Sequence, residues 1–233
     1  MACAAGGNEK SAPTPDKIPY MIIIIGNQKG GAGKSTFALV LANFLSQTKN
    51  CAVTVIDMDY QQSIAQKFEK AKILENAEPY EVVPANLESY PYLRELLCKN
   101  AKDIILIDLP GKLDDDGLIP VFNSADLVIC PFSYDEFTFQ STVLFTVVMK
   151  RINPEINMVF VPNRIKSNAR YEIMLEVNEQ LSRFGKITAV LPDRIDFQRV
   201  TTFYTPVSLQ TVTTSVLEQI YNDYLYGKNE ITG

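Results

Sequence analysis

The sequence predicts an α/β fold with a mainly parallel central sheet and helices on both faces. Three observations predict it. Short runs rich in Ile and Val recur along the chain, as buried parallel strands do. Longer stretches with an apolar side separate them. Strand and helix then alternate many times, which is the pattern that lays parallel strands side by side with crossover helices above and below.

The elements come in this order. The first strand is expected at 20–26, where Met21 is followed by four isoleucines. A helix follows over 35–47, with Phe37, Leu41, Phe44 and Leu45 near one face. Further strands are expected at 51–57, 80–83, 104–109 and 127–130. A helix over 137–151 leads to a strand at 158–161. A helix over 171–184 leads to a last strand at 187–191, and a helix over 213–226 closes the pattern. No linker interrupts 20–226, so this stretch is expected to be one domain. Residues 1–19 are rich in Ala, Gly, Pro and Ser and read as a flexible leader, and 227–233 as a tail.

Composition narrows the function. The chain has 233 residues, 46% hydrophobic and 21% charged, an ordinary globular balance. It has no histidine, so a His-containing metal site or a Ser-His-Asp triad is excluded. Four cysteines without regular spacing do not make a disulfide framework. Cys98 falls on a helix-like stretch and Cys130 inside a strand, where a buried small thiol is the ordinary case. The longest apolar run, 21–25, is far short of the ~20 residues a membrane span needs. No signal-peptide pattern is visible at the start, so a cytoplasmic location is expected.

The sharpest feature comes directly after the first strand: Gly26-Asn-Gln-Lys-Gly-Gly-Ala-Gly-Lys-Ser-Thr36. It ends in Gly33-Lys34-Ser35, like the phosphate loop G-x-x-x-x-G-K-[ST]. Gln28 stands where the plain pattern has its first glycine, so this is a variant loop, with Lys29 near its start. Glycines let the backbone curl so that N–H groups point at a polyanion. The following helix aims its positive end at the same place. Lys34 is expected on the β- and γ-phosphates and the Ser35 hydroxyl on Mg²⁺. A strand–loop–helix of this kind makes the expected architecture the three-layer P-loop NTPase fold.

Three carboxylates fall near this loop. Asp57 ends the second strand, Asp59 lies two residues on, and Asp108 ends a four-residue apolar run. Ligands of parallel sheets sit at the carboxyl ends of strands, where all three would meet the loop. Asp108 fits the acid that helps hold Mg²⁺, with Asp57 beside it. Asp59 is the better placed to orient the attacking water, since the chain has no histidine to do so.

These residues resemble the ParA/MinD class of P-loop ATPases, which carry a deviant Walker A motif. Residues 29–36, Lys-Gly-Gly-Ala-Gly-Lys-Ser-Thr, match its KGGxGK[ST]T core. Asp57-Met-Asp-Tyr-Gln-Gln-Ser63 resembles its D-x-D-P-Q-x-S segment, with Tyr60 in place of the usual proline. Residues 103–110 resemble its Walker B strand, and 125–131 the strand after it. With Asp108-Leu-Pro-Gly111, the tyrosine is similar to a subgroup from bacterial mobile elements.

The resemblance implies ATP and Mg²⁺ as cofactors, held by Lys29, Gly30, Gly31, Ala32, Gly33, Lys34, Ser35 and Thr36. It implies that Lys29 reaches the partner's phosphates across an ATP-dependent homodimer, acting as an arginine finger would. It implies that Asp59 assists hydrolysis, which is slow unless a partner stimulates it. Adenine contacts are implied for Asn163 and Arg164, and for the loop around Pro192 and Asp193.

The implied output is DNA partition or segregation of a plasmid, chromosome or mobile element, with a centromere-binding adaptor protein. Residues 150–200 hold nine Lys/Arg and six Asp/Glu, a net +3, which leaves −8 for the rest of a −5 chain. That asymmetry favours weak, salt-sensitive, non-specific DNA contact, doubled by dimerisation. A solvated face of mixed charge gives the same count. No DNA-reading helix pair precedes the loop, so operator binding is not expected. A MinD-like membrane-surface ATPase would need a basic amphipathic tail, which 224–233 does not offer. The same motifs would also suit a conjugative-transfer accessory ATPase, or a nucleotide clamp without turnover. Phe197, Phe203 and Tyr204 would suit a helix contact or a dimer face, with core packing the ordinary case.

Overall fold

The computed structural model describes residues 20–97, 103–112, 115–169 and 171–226. The expected leader, the tail and Cys98 lie outside them. Seven strands form one parallel sheet: β1 (Met21–Ile25), β2 (Ala52–Asp57), β3 (Glu81–Pro84), β4 (Asp103–Asp108), β5 (Leu127–Phe132), β6 (Asn157–Pro162) and β7 (Lys186–Ile187), in the order β3-β2-β4-β1-β5-β6-β7. The chain starts at the centre and builds out to one edge, then crosses to the other. That reversal of direction beside β1 opens a crevice at the carboxyl ends of the strands.

Among the described residues seven α-helices pack on this sheet: α1 (Lys34–Asn43), α2 (Ser63–Ile73), α3 (Tyr90–Leu97), α4 (Ile119–Asn123), α5 (Glu136–Ile152), α6 (Met174–Ser182) and α7 (Val207–Ile220). α1 and α7 each run on into a π-helical turn, Phe44–Thr48 and Tyr221–Leu225. Side chains alternate between sheet faces along each strand. Met21, Ile23 and Ile25 therefore join one core with α1, α2 and α7, and Ile22 and Ile24 join another with α3, α4, α5 and α6. The three-layer expectation is met. No helix among the described residues is long and apolar enough to cross a membrane.

The last expected strand, 187–191, is shorter than its apolar composition suggests. Its pairing with β6 covers Lys186 and Ile187, after which single hydrogen bonds from Thr188 and Leu191 to β6 carbonyls continue the contact. The helix expected over 213–226 starts earlier, at Val207, directly after Pro206, which is suited to a helix entry.

Register places the candidate carboxylates. Asp57 on β2 pairs with Asp108 on β4, and Asp108 pairs with Ile25 on β1. All three side chains leave the sheet on the α1 side. The loop from β1 to α1 crosses that same edge.

Candidate functional site

The loop is fastened at both ends. Gly26 leaves β1 so close to α5 that a Cβ there would stand 2.6 Å from Phe145 Cζ. The next residue, Asn27, is fully buried. Its Oδ1 accepts the Lys29 N–H at 3.0 Å, and its Nδ2 donates to Pro131 O and Thr142 Oγ1, both at 2.9 Å. One amide thus ties the loop to β5 and α5. At the far end Asn163 Nδ2 donates to Ala32 O at 2.9 Å and Arg164 Nη1 to Gly31 O at 2.8 Å. Gly31 and Gly33 have φ of 78° and 90°, the left-handed region that favours glycine. At Gly33 any side chain would also collide with Asn163. α1 begins at once, and its first N–H groups have no helical acceptor, which makes the loop's hollow an anion cradle.

Two lysines of this loop are placed oppositely. Lys34 is buried, with Nζ donating to Lys29 O at 3.4 Å. Burial lowers its pKa, while Asp108 and then Asp59 oppose that. Lys29 is exposed at the rim, its Nζ 6.0 Å from the ring centre of Phe137. Between and around them lies a cleft of about 710 Å³, lined by the loop, Ser35, Thr36, Asp59, Tyr60 and the turn at Gly111.

The carboxylates divide by what they bond. Asp57 is fully buried: its Oδ2 accepts the Ile64 and Ala65 N–H groups at 3.0 and 2.9 Å, and its Oδ1 the Asp59 N–H at 3.2 Å. It holds the start of α2 and the loop before it. Burial raises its pKa, and those N–H groups oppose the rise. Asp59 sits in that loop, with Oδ1 taking the Gln61 N–H at 2.9 Å. Asp108 is fully buried, and neither oxygen has a hydrogen-bond partner among the described residues. Burial pushes its carboxyl up to about 7; the Ser35 hydroxyl and Lys34 ammonium pull it down, and Asp57 and Asp59 push it further up. An orphaned buried carboxylate beside a serine hydroxyl is a donor set that fits a hard divalent cation such as Mg²⁺.

A second, smaller cavity of about 230 Å³ opens beside Gly33 and Thr36. Phe37, Leu191 and Phe197 give it apolar walls. Asn163 and Arg164 reach its edge, although their polar atoms hold the loop. Asp193 also lines it, 4.0 Å from Arg164 Nε. Pro192 does not; it pairs with Ile165 and shapes the turn. Cys130 is fully buried in β5, and burial raises its thiol pKa.

Sequence reasoning missed Asn27, the most heavily bonded residue of the loop. Its signal was a polar residue two places beyond five apolar strand residues. Such a position is buried by the sheet and must find partners.

The site and fold together define a nucleotide-binding P-loop protein. Residues 23–207 match the family model described as the CobQ/CobB/MinD/ParA nucleotide binding domain, and the chain belongs to that family. No curated protein matches the chain. Several solved structures share the fold. A plasmid partition protein from Borrelia burgdorferi B31, bound to AMPPNP, is 23% identical, with TM-score 0.70 over 88% of this chain and 99% of that one. The McdA(D38A)–ATP complex from Cyanothece is 16% identical, with TM-score 0.68 over 87% and 95%. The cell division ATPase MinD from Pyrococcus furiosus is 18% identical, with TM-score 0.67 over 87% and 98%.

Proposed function

We propose that the chain is a ParA-like ATPase that binds Mg²⁺-ATP, closes into a homodimer, and hydrolyses ATP slowly until a partner stimulates it. Its output in this reading is partition of a plasmid, chromosome or mobile element, through non-specific DNA contact and a centromere-binding adaptor. The observation that carries it is the opposite placement of the two loop lysines. Lys34 is buried where it can serve its own subunit's phosphates. Lys29 is exposed, free to serve the phosphates of a second copy. The similarity to an AMPPNP-bound partition protein supports the same reading.

In this mechanism the Gly30–Thr36 backbone and Lys34 orient the phosphates. Ser35 and Asp108 hold the metal, and Asp57 fixes α2 and the loop carrying Asp59. The ion, when bound, neutralises charge on the β- and γ-phosphate oxygens. Asp59 orients the attacking water. Lys29 of each subunit stabilises charge that develops on the other's phosphates, so closure depends on the γ-phosphate.

Sedimentation velocity with Mg²⁺-AMPPNP and Mg²⁺-ADP tests this. AMPPNP is expected to shift the protein to a dimer, and ADP to leave it monomeric. Lys29→Ala is expected to stay monomeric while its AMPPNP affinity falls less than about tenfold, since only one of several phosphate contacts is lost. A Lys29→Ala protein that dimerises like the parent would refute the lysine exchange.

A further inference from the structure

The residues expected to contact the base are already committed elsewhere. Asn163 spends its Nδ2 on Ala32 O, and its Oδ1 takes the Arg164 N–H at 3.0 Å. Arg164 is bound to Gly31 O and faces Asp193. Arg194, also at the slot, directs Nη1 to Ser208 O at 3.4 Å. The small cavity has apolar walls for a flat ring, yet these three polar side chains are turned to the protein itself.

Among the amide and guanidinium side chains of this cavity, Gln198 is the exception. It lines the same cavity, is exposed, and its amide makes no hydrogen bond among the described residues. It belongs to a short 3-10 turn, Ile195–Arg199, which has its own anchor. The half-buried Lys67 on α2 donates from Nζ to Val200 O at 2.9 Å, directly after the turn. Val200 itself is fully buried. The glutamine therefore extends from a held backbone, next to the ring of Phe197.

We infer that Gln198 is the specificity-determining residue that reads the edge of the nucleobase, with Phe37, Leu191 and Phe197 packing its faces. One amide presents a donor and an acceptor side by side. Adenine offers the complementary pair, an amino donor next to a ring-nitrogen acceptor, and Gln is one of the two side chains that meet it in bidentate fashion. A carboxylate in the same place offers acceptors only. It mismatches the adenine ring nitrogen and matches the neighbouring N–H donors of guanine.

This rests on the reading that the adjoining loop holds the triphosphate. Isothermal titration with the Mg²⁺ complexes of AMPPNP, GMPPNP and inorganic tripolyphosphate separates the two. In the parent, AMPPNP is expected to bind tighter than tripolyphosphate. Gln198→Leu is expected to weaken AMPPNP about tenfold and leave tripolyphosphate unchanged. Gln198→Glu is expected to weaken AMPPNP similarly and to tighten GMPPNP, which inverts the preference. An AMPPNP-to-GMPPNP ratio that stays within twofold of the parent's in both variants overturns the inference while the triphosphate reading stands. A parent that binds none of the three overturns both.

Discussion

Asp57 and Asp108 end neighbouring strands, pair in register and are both fully buried, yet one has three backbone partners and the other has none. The strand end fixes where each carboxylate lies. The chain immediately after the strand decides what it does. After β2 the backbone turns within a few residues into α2, and the first N–H groups of that helix fold back onto Asp57. After β4 comes Leu109, whose N–H goes to Ile25 O, and then Pro110, which has no N–H to return. Asp108 is left bare by its own sequel. Burying a carboxylate is costly, and here burial outweighs the nearby Ser35 hydroxyl and Lys34 ammonium, which fits a side chain that would ligate a cation. One aspartate braces the start of α2, and the other keeps both oxygens without a hydrogen bond among the described residues.

The largest effect is expected from removing the brace. Asp57→Ala strands three backbone N–H groups near the start of α2, and unsatisfied buried donors cost ~1–3 kcal/mol each. Urea unfolding of the nucleotide-free protein is expected to show a loss of about 3 kcal/mol, since some of the three recover water. A loss within 0.5 kcal/mol of zero, on the order of an ordinary surface substitution, would show that α2 does not depend on this carboxylate.

Asp108→Asn is expected to act in the opposite sense on the two quantities. It removes a buried carboxylate whose burial outweighs the pull of the Ser35 hydroxyl and the Lys34 ammonium, so the thermal midpoint should stay level or rise. Magnesium-dependent AMPPNP affinity should fall about thirtyfold, as for the loss of one charged ligand of a hard cation. If Asp108→Asn instead destabilised the nucleotide-free protein as much as Asp57→Ala does, Asp108 would have a structural partner and the contrast would vanish.

The same contrast explains how much of the molecule the sequence could disclose. Strands announce themselves through local composition, and Ile22–Ile25 needs no partner to be recognised as buried. The loop is legible because glycines and lysines at fixed spacing answer a local demand of backbone and charge. α2 has its buried residues at Ile64, Ala65, Phe68 and Ala71, a pattern of helical period that the motif before it overshadowed. α3 buries little beyond Tyr90 and α4 is barely more than one turn, so neither offers a full apolar stripe. Bonds between distant residues are another matter. Asn163 meets Ala32 across 131 residues, and Lys67 meets Val200 across 133. No local pattern encodes such pairs; the strand order creates them. For that reason the resemblance implies an adenine contact for Asn163, while its bond to the loop becomes visible only in the fold.

Asp135 completes the series and gives its smallest, pH-dependent member. It comes after β5 as Asp59 comes after β2, but it is exposed and fully partnered. Its Oδ1 caps α5 by accepting the Thr138 N–H at 2.9 Å, and the Ser133 hydroxyl donates to Oδ2. Partial burial pushes its pKa up, but the bonds from Ser133 and Thr138 outweigh this and hold it below the usual carboxylate value. A carboxylate lowered in the folded state stabilises the fold above its unfolded pKa, and that contribution is lost as pH falls through the folded value. Asp135→Ala should therefore cost about 1 kcal/mol at neutral pH, the typical worth of an N-cap, and the gap to the parent should narrow as pH falls below about 4. Asp135→Asn keeps a capping oxygen that does not titrate, so it should remain near the parent at neutral pH and lose less than the parent in acid. Thermal midpoints of the three proteins across that range would decide it. Parallel pH curves for all three would mean that Asp135 has the same pKa folded and unfolded, so that its bonds do not favour the charged form, and that among these strand-end aspartates exposure, rather than partnership, sets the charge.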